Sequence, residues 1–149
     1  IKNFGKLSYK NGFINSKYLS KIVFDDPKKL KELNSIVHPL VEKDFKKFKI
    51  ISGKSIIFFE SAILFESKIN LKFDYTILVT APIKIRTDRI IKRDYITVSQ
   101  IMSRVSKQWS DEQKALFADR LIENIDWKTT VIMLENLLID LKKRFNIPD

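Results

Sequence analysis

Apolar residues recur at helical spacing along most of the chain, and two short runs carry no polar interruption at all. From Asn15, the positions Tyr18, Leu19, Ile22 and Val23 share one face of a helix. Asp25-Asp26-Pro27 then supplies a second helix start, with proline at the first helical position, where a missing N–H is not needed. Leu30, Leu33, Ile36 and Val37 continue the apolar stripe up to His38-Pro39. That proline is expected to kink or restart the helix, because it removes a backbone donor and restricts the residue before it. Leu40, Val41, Phe45 and Phe48 mark the next helical stretch, and Ser52-Gly53 breaks it. Ile56-Ile57-Phe58-Phe59 and Tyr75-Thr76-Ile77-Leu78-Val79-Thr80 read as strands buried on both faces.

Beyond the second run, Pro82 opens a helix through about Arg93. Thr97 with Gln100, and Ser110 with Gln113, have the spacing of capping boxes and start two further helices. Leu121 to Asn124 is a candidate third strand. A final amphipathic helix spans about Lys128 to Phe145, with Val131, Leu134, Leu137, Leu138 and Leu141 on its apolar face. Residues 1 to 12 are polar and turn-rich around Gly5 and Asn11-Gly12. Helices alternating with short apolar strands predict an α/β domain with a parallel sheet, and residues 15 to 49 form a helical block outside that alternation.

Composition narrows the chemistry. Eleven Phe against three Gly and four Pro argues for a packed core in a soluble globular protein. The 28 Lys and Arg against 18 Asp and Glu give a net charge of +10, which favours anionic partners without choosing among nucleotides, nucleic acid and acidic surfaces. Cysteine is absent, which removes disulfides and thiolate chemistry, and a lone His38 argues against a zinc centre. No apolar run approaches the roughly 20 residues of a membrane helix, and no basic-then-apolar leader is visible, so the cytoplasm is the expected compartment. The chain opens on Ile1, in what reads as a loop, and a segment before it is expected.

Four features are candidates for function. Ser52-Gly53-Lys54-Ser55 imitates the end of a phosphate-binding loop, but it precedes a strand, whereas a working loop follows a strand and opens a helix. It reads as an ordinary turn. Lys84 to Gln108 holds seven basic and two acidic residues, half the excess charge of the chain. Within it, Arg86, Arg89 and Arg93 share a helix face; such a stripe is either a solvated surface or a set of forks for phosphate oxygens. Glu60 ends the first apolar run, where ligands bind in parallel sheets, and could equally cap the next short helix. His38 could bond a ligand or a nearby backbone group.

Taken in order, the segments resemble the dephospho-CoA kinase family. Phe4-Gly5, Gly12-Phe13-Ile14 and Ile22-Val23-Phe24-Asp25-Asp26-Pro27 open the similarity. Leu33-Asn34 through His38-Pro39 resembles L-N-x-x-x-H-P, and Glu60-Ser61-Ala62-Ile63-Leu64-Phe65-Glu66 resembles an acidic-x-P-L-L-F-E stretch. Arg89 to Asp94 fits R-x-x-x-R-D, Arg104 with Gln108 fits R-x-x-x-Q, and Ala118-Asp119 through Asn124 fits A-D-x-x-I-x-N. The resemblance implies a three-layer P-loop kinase-like α/β fold with a parallel sheet, a helical CoA-binding lobe over 13–50, core segments 55–93 and 109–149, and a helical lid over 94–108, all within one kinase domain over 1–149. It implies transfer of the ATP γ-phosphoryl to the ribose 3′-hydroxyl of dephospho-CoA, with Mg²⁺. Arg93 and Arg89 would contact phosphates as catalytic residues. Arg104, Gln108 and Asn124 would lie on the ATP side, and His38, Glu60 and Phe65 on the dephospho-CoA side. The partners implied are those two small molecules, with no nucleic acid, no membrane and no protein-held metal.

Departures from the family pattern are specific. Its N-terminal strand, G-x-x-x-x-G-K-[ST] loop, following helix and nearby acidic base have no counterpart here, so these 149 residues alone are expected not to catalyse transfer, and the intact polypeptide is expected to exceed 17.5 kDa. Ser16 stands where the family usually has arginine, and Ala62 where it has proline. Two other readings fit parts of the pattern: a different nucleoside or nucleotide kinase of the same fold, and a basic nucleic-acid-binding module.

Overall fold

The computed structural model describes residues 2–24 and 26–148, so the Asp25 part of the expected helix start lies outside the described residues. The chain forms two compact units that divide between Ile57 and Phe58.

The first unit opens with a short antiparallel hairpin, β1 (Tyr9–Lys10) and β2 (Phe13–Ile14), in the register Tyr9↔Ile14 and Lys10↔Phe13. Asn11 and Gly12 between them both have positive φ, at 52° and 81°. A two-residue turn matching the strand twist demands that conformation at both positions, which is the reason for an Asn-Gly pair there. Asn15 Oδ1 accepts the Tyr18 N–H at 3.2 Å and caps α1 (Ser16–Phe24), whose Val23 is buried. Asp26 Oδ1 then accepts the N–H groups of Lys28 and Lys29 at 2.9 and 3.1 Å, starting α2 (Pro27–Ser52) with Pro27 inside its first turn, as the sequence predicts.

At Pro39 the structure excludes one of the two expected outcomes, the restart. α2 is one helix of 26 residues that continues through Pro39 without restarting. A mid-helix proline costs about 3 kcal/mol, but helical hydrogen bonding propagates cooperatively from the turns on both sides. Gly53, in the left-handed region at φ 58°, terminates α2. Ser52-Gly53-Lys54-Ser55 therefore ends a helix and opens none.

In the second unit, β3 (Ile77–Thr80) pairs in parallel with β4 (Arg120–Glu123), from Ile77↔Arg120 to Thr80↔Glu123. Between them run α3 (Ile83–Asp94), α4 (Val98–Val105) and α5 (Asp111–Ala115), and α6 (Trp127–Arg144) follows β4. Both capping boxes form as expected, with Thr97 and Gln100 on α4 and Ser110 and Gln113 on α5 bonding reciprocally. Ile122, Leu137 and Leu141 make a buried cluster, with Tyr75, Ile77 and Met133 packed against it. Asp119 Oδ2 fastens the entry to the sheet, accepting the backbone N–H and the hydroxyl of Thr76, each at 2.7 Å.

Four further expectations change. Residues 56–59 form no strand: β3 and β4 pair with each other, and an apolar run without a ladder partner satisfies no backbone hydrogen bonds as a strand would. Phe58 is exposed there, while the Phe59 ring stacks on Phe73 with centroids 5.1 Å apart. On α6, Thr130, Leu137 and Leu141 are buried, whereas Leu134 and Leu138 are exposed, so the packed face is rotated from the one the leucines suggest. Pro82 caps α3 rather than entering it, and β4 runs Arg120–Glu123, leaving Asn124 just beyond its end.

Candidate functional site

Parallel pairing sends the C-terminal ends of β3 and β4 to the same edge of the sheet, the edge at which ligands bind in α/β folds. The two ends are tied there: the Asn124 N–H donates to the Thr80 carbonyl at 2.7 Å. Arg89, on α3, spans the same edge. Its Nη1 donates to the Asn124 carbonyl and its Nη2 to the Ile125 carbonyl, both at 2.8 Å. The guanidinium fork thus fixes the bend that presents the Asn124 side chain. Behind it, the buried Thr130 hydroxyl donates to the Asp126 carbonyl at 2.7 Å, with Asn124 Oδ1 at 3.4 Å.

One turn further along α3, Arg93 makes a two-pronged ion pair with its neighbour Asp94, Nε to Oδ1 at 2.7 Å and Nη2 to Oδ2 at 2.9 Å. The Asp94 carboxyl is held below its ordinary range, first by the hydrogen bonds from Arg93 and then by the charges of Arg93 and Arg104. Asp94 reciprocally raises Arg93 through the same hydrogen bonds and its charge. The Arg93 side chain is 75% exposed, so an anionic ligand has open access to it and competes with a single carboxylate. Tyr95, in the left-handed region at φ 54°, ends α3 and turns the chain towards α4. Arg104, exposed in the last turn of α4, adds its charge to the field that lowers Asp94.

The second unit also holds a mostly buried polar group. Lys114 Nζ lies 3.3 Å from Glu66 Oε1, 3.2 Å from the Ala62 carbonyl and 3.5 Å from Gln108 Oε1. Glu66 Oε1 also accepts the Trp109 N–H at 2.9 Å. On the same short α5, Asp111 pairs with Arg86 of α3 at 2.8 Å. Glu60 is exposed just before the turn that carries Glu66, and Phe65 within that turn is buried, its side chain part of the packing.

The structure thus brings Arg89 to Asn124 and Gln108 to Lys114, while Arg93 and Arg104 both act on the charge of Asp94. His38 lies half-buried on α2, in the first unit. Among the described residues no group of three or more His, Asp or Glu is arranged to hold a metal ion. Sequence reasoning missed Lys114, Thr130 and the Arg86–Asp111 pair. The capping box at Ser110 offered a signal for Lys114, because it fixes α5 and so the face on which position 114 falls.

Comparisons with known proteins agree on one family. A family model described as dephospho-CoA kinase matches residues 1–128. A dephospho-CoA kinase from Fusobacterium nucleatum is 37% identical over 125 residues, covering 83% of this chain and 65% of the relative. One from Staphylococcus saprophyticus is 35% identical over 133 residues, with 87% and 65% covered. One from Bacteroides fragilis is 31% identical over 145 residues, with 95% and 70% covered. The chain therefore spans 65% of the length of the first two relatives. Among solved structures, TT1252 from Thermus thermophilus superposes with a TM-score of 0.76 at 27% identity, over 89% of this chain and 70% of that one. A Campylobacter jejuni structure at 24% identity, with a TM-score of 0.51, shares the fold. With the family model covering 128 of its 149 residues, this chain belongs to the dephospho-CoA kinase family.

Proposed function

We propose that the polypeptide transfers the γ-phosphoryl group of ATP to the ribose 3′-hydroxyl of dephospho-CoA. The observation that carries this reading is the family match over residues 1–128. The local chemistry supports it. Phosphoryl transfer is catalysed by positioning and by charge stabilisation, and arginine forks serve both. Arg93 presents such a fork, engaged by the Asp94 carboxylate at the end of α3, and the charge of Arg104 on α4 acts on the same carboxylate.

On this reading Arg93 meets the phosphates and Asn124 and Gln108 lie on the nucleotide side, with α4 inside a lid over 94–108. Segments 55–93 and 109–149 form the core, and 13–50 the lobe for the acceptor; His38 in the first unit, and Glu60 and Phe65 in the second, are each assigned to dephospho-CoA. Arg89 acts by holding Asn124 through its backbone bonds. Mg²⁺ would arrive with the nucleotide: the described residues offer no carboxylate cage, and phosphate oxygens are its usual ligands in kinases. The partners are two small molecules. No helix among the described residues is long and apolar enough to cross a membrane, and we assign the activity to the cytoplasm.

Acceptor competition tests the proposal. Dephospho-CoA should be phosphorylated and nucleoside monophosphates refused; phosphorylation of a nucleoside monophosphate with dephospho-CoA untouched would assign the chain a different acceptor.

A further inference from the structure

Lys114 is 8% exposed, and burial of an ammonium is tolerated only when it is paired and hydrogen-bonded. Its three donor positions face three oxygens: the Glu66 carboxylate at 3.3 Å, the Ala62 carbonyl at 3.2 Å and Gln108 Oε1 at 3.5 Å. Two of these belong to the turn after Glu60. The third belongs to the residue that leaves α4, whose own N–H still bonds to the Val105 carbonyl at 3.1 Å. Glu66 completes the tie by accepting the next backbone N–H, that of Trp109. Two side chains therefore nail residues 108 and 109 to residues 62 and 66, across more than 40 positions of sequence.

The position of this tie matters more than its strength. Residues 62 to 66 follow Glu60, and residues 108 and 109 follow α4, so the pair joins the acceptor-side turn to the far hinge of the lid. We propose that Lys114 and Glu66 are positioning residues that fix this hinge and the Gln108 side chain, and so set nucleotide affinity without touching the nucleotide. This inference rests on the kinase reading above. The ammonium has all its donors engaged, so it is not a free amine available for catalysis.

The test uses the full polypeptide with Trp127, and any tryptophan outside these 149 residues, replaced by Phe, so that Trp109 is the one tryptophan left. Lys114→Met keeps the apolar stem and removes the charge. In that variant KM for ATP should rise about tenfold while kcat stays within about threefold of the parent. Acrylamide quenching of Trp109 should rise about twofold as the hinge opens locally. The double variant Glu66→Gln/Lys114→Met removes the lone buried charge that could unfold the single variant. If the pair only stabilises the fold, the double variant returns to the parent KM, which would overturn the positioning role. A KM that stays raised in the folded double variant supports it. A parent protein that turns over ATP, with KM and quenching unchanged in both variants, overturns the role alone. A parent with no turnover overturns the kinase reading, and the role with it.

Discussion

Arg89 donates from Nη1 to the backbone carbonyl of Asn124 at 2.8 Å, across 35 positions of sequence. Its second prong reaches the Ile125 carbonyl at the same distance. The resemblance to the kinase family suggests this arginine as a phosphate contact; the structure shows its fork engaged with backbone at the end of β4. Arg89→Ala should lower stability by about 1 kcal/mol, the scale of exposed charge-assisted hydrogen bonds. Arg89→Lys should recover little of it, because an ammonium cannot reproduce the planar two-pronged contact. Denaturant unfolding of the three proteins checks both outcomes.

Arg93 differs from Arg89 in having only a neighbouring carboxylate as partner in its ion pair, and an exposed side chain. Arg93→Ala should lower kcat about 10²-fold to 10³-fold, as loss of a transition-state charge contact does. Steady-state kinetics of the full polypeptide with ATP and dephospho-CoA measures this. An unchanged kcat would remove Arg93 from the site.

Asp119 governs part of the acid response. Its carboxyl lies below the ordinary value of 3.8, first through the hydrogen bond from the Thr76 hydroxyl, opposed by partial burial and aided by the Thr76 backbone N–H. A folded-state value below the unfolded one means that the charged form is favoured by folding. The stability it contributes is therefore complete above about pH 4 and is lost as the pH falls through the folded value. Asp119→Asn should lower stability at neutral pH and flatten its decline below about pH 4. Thermal unfolding followed between neutral pH and pH 2.5 gives both slopes. A parallel decline in the two proteins would assign the acid response to other carboxylates.

Local signals were legible in the sequence wherever a few neighbouring residues decide the outcome. The Asn11-Gly12 turn, the Asp26 cap and the two capping boxes each require only residues within one turn, and each forms. The strand at Ile77–Thr80 was readable from its apolar run. Ile56–Phe59 shows the same pattern and forms no ladder, since a strand depends on a partner that local sequence does not specify. Pro39 shows the converse, a local breaker overridden by the helix on both sides. At the site, the arginine stripe on α3 was visible as spacing, but spacing could not say that Arg89 turns to backbone while Arg93 stays open. For Lys114 the local signal stopped at the capping box that fixes α5; its partners lie in residues 62, 66 and 108, which local spacing does not specify.

The most direct measurement of the central claim is product analysis after incubating the full polypeptide with ATP and dephospho-CoA. The account predicts ADP and coenzyme A in equal amounts, with the new phosphate on the ribose 3′-oxygen. ATP left intact, or phosphate transferred to any other position, would contradict it.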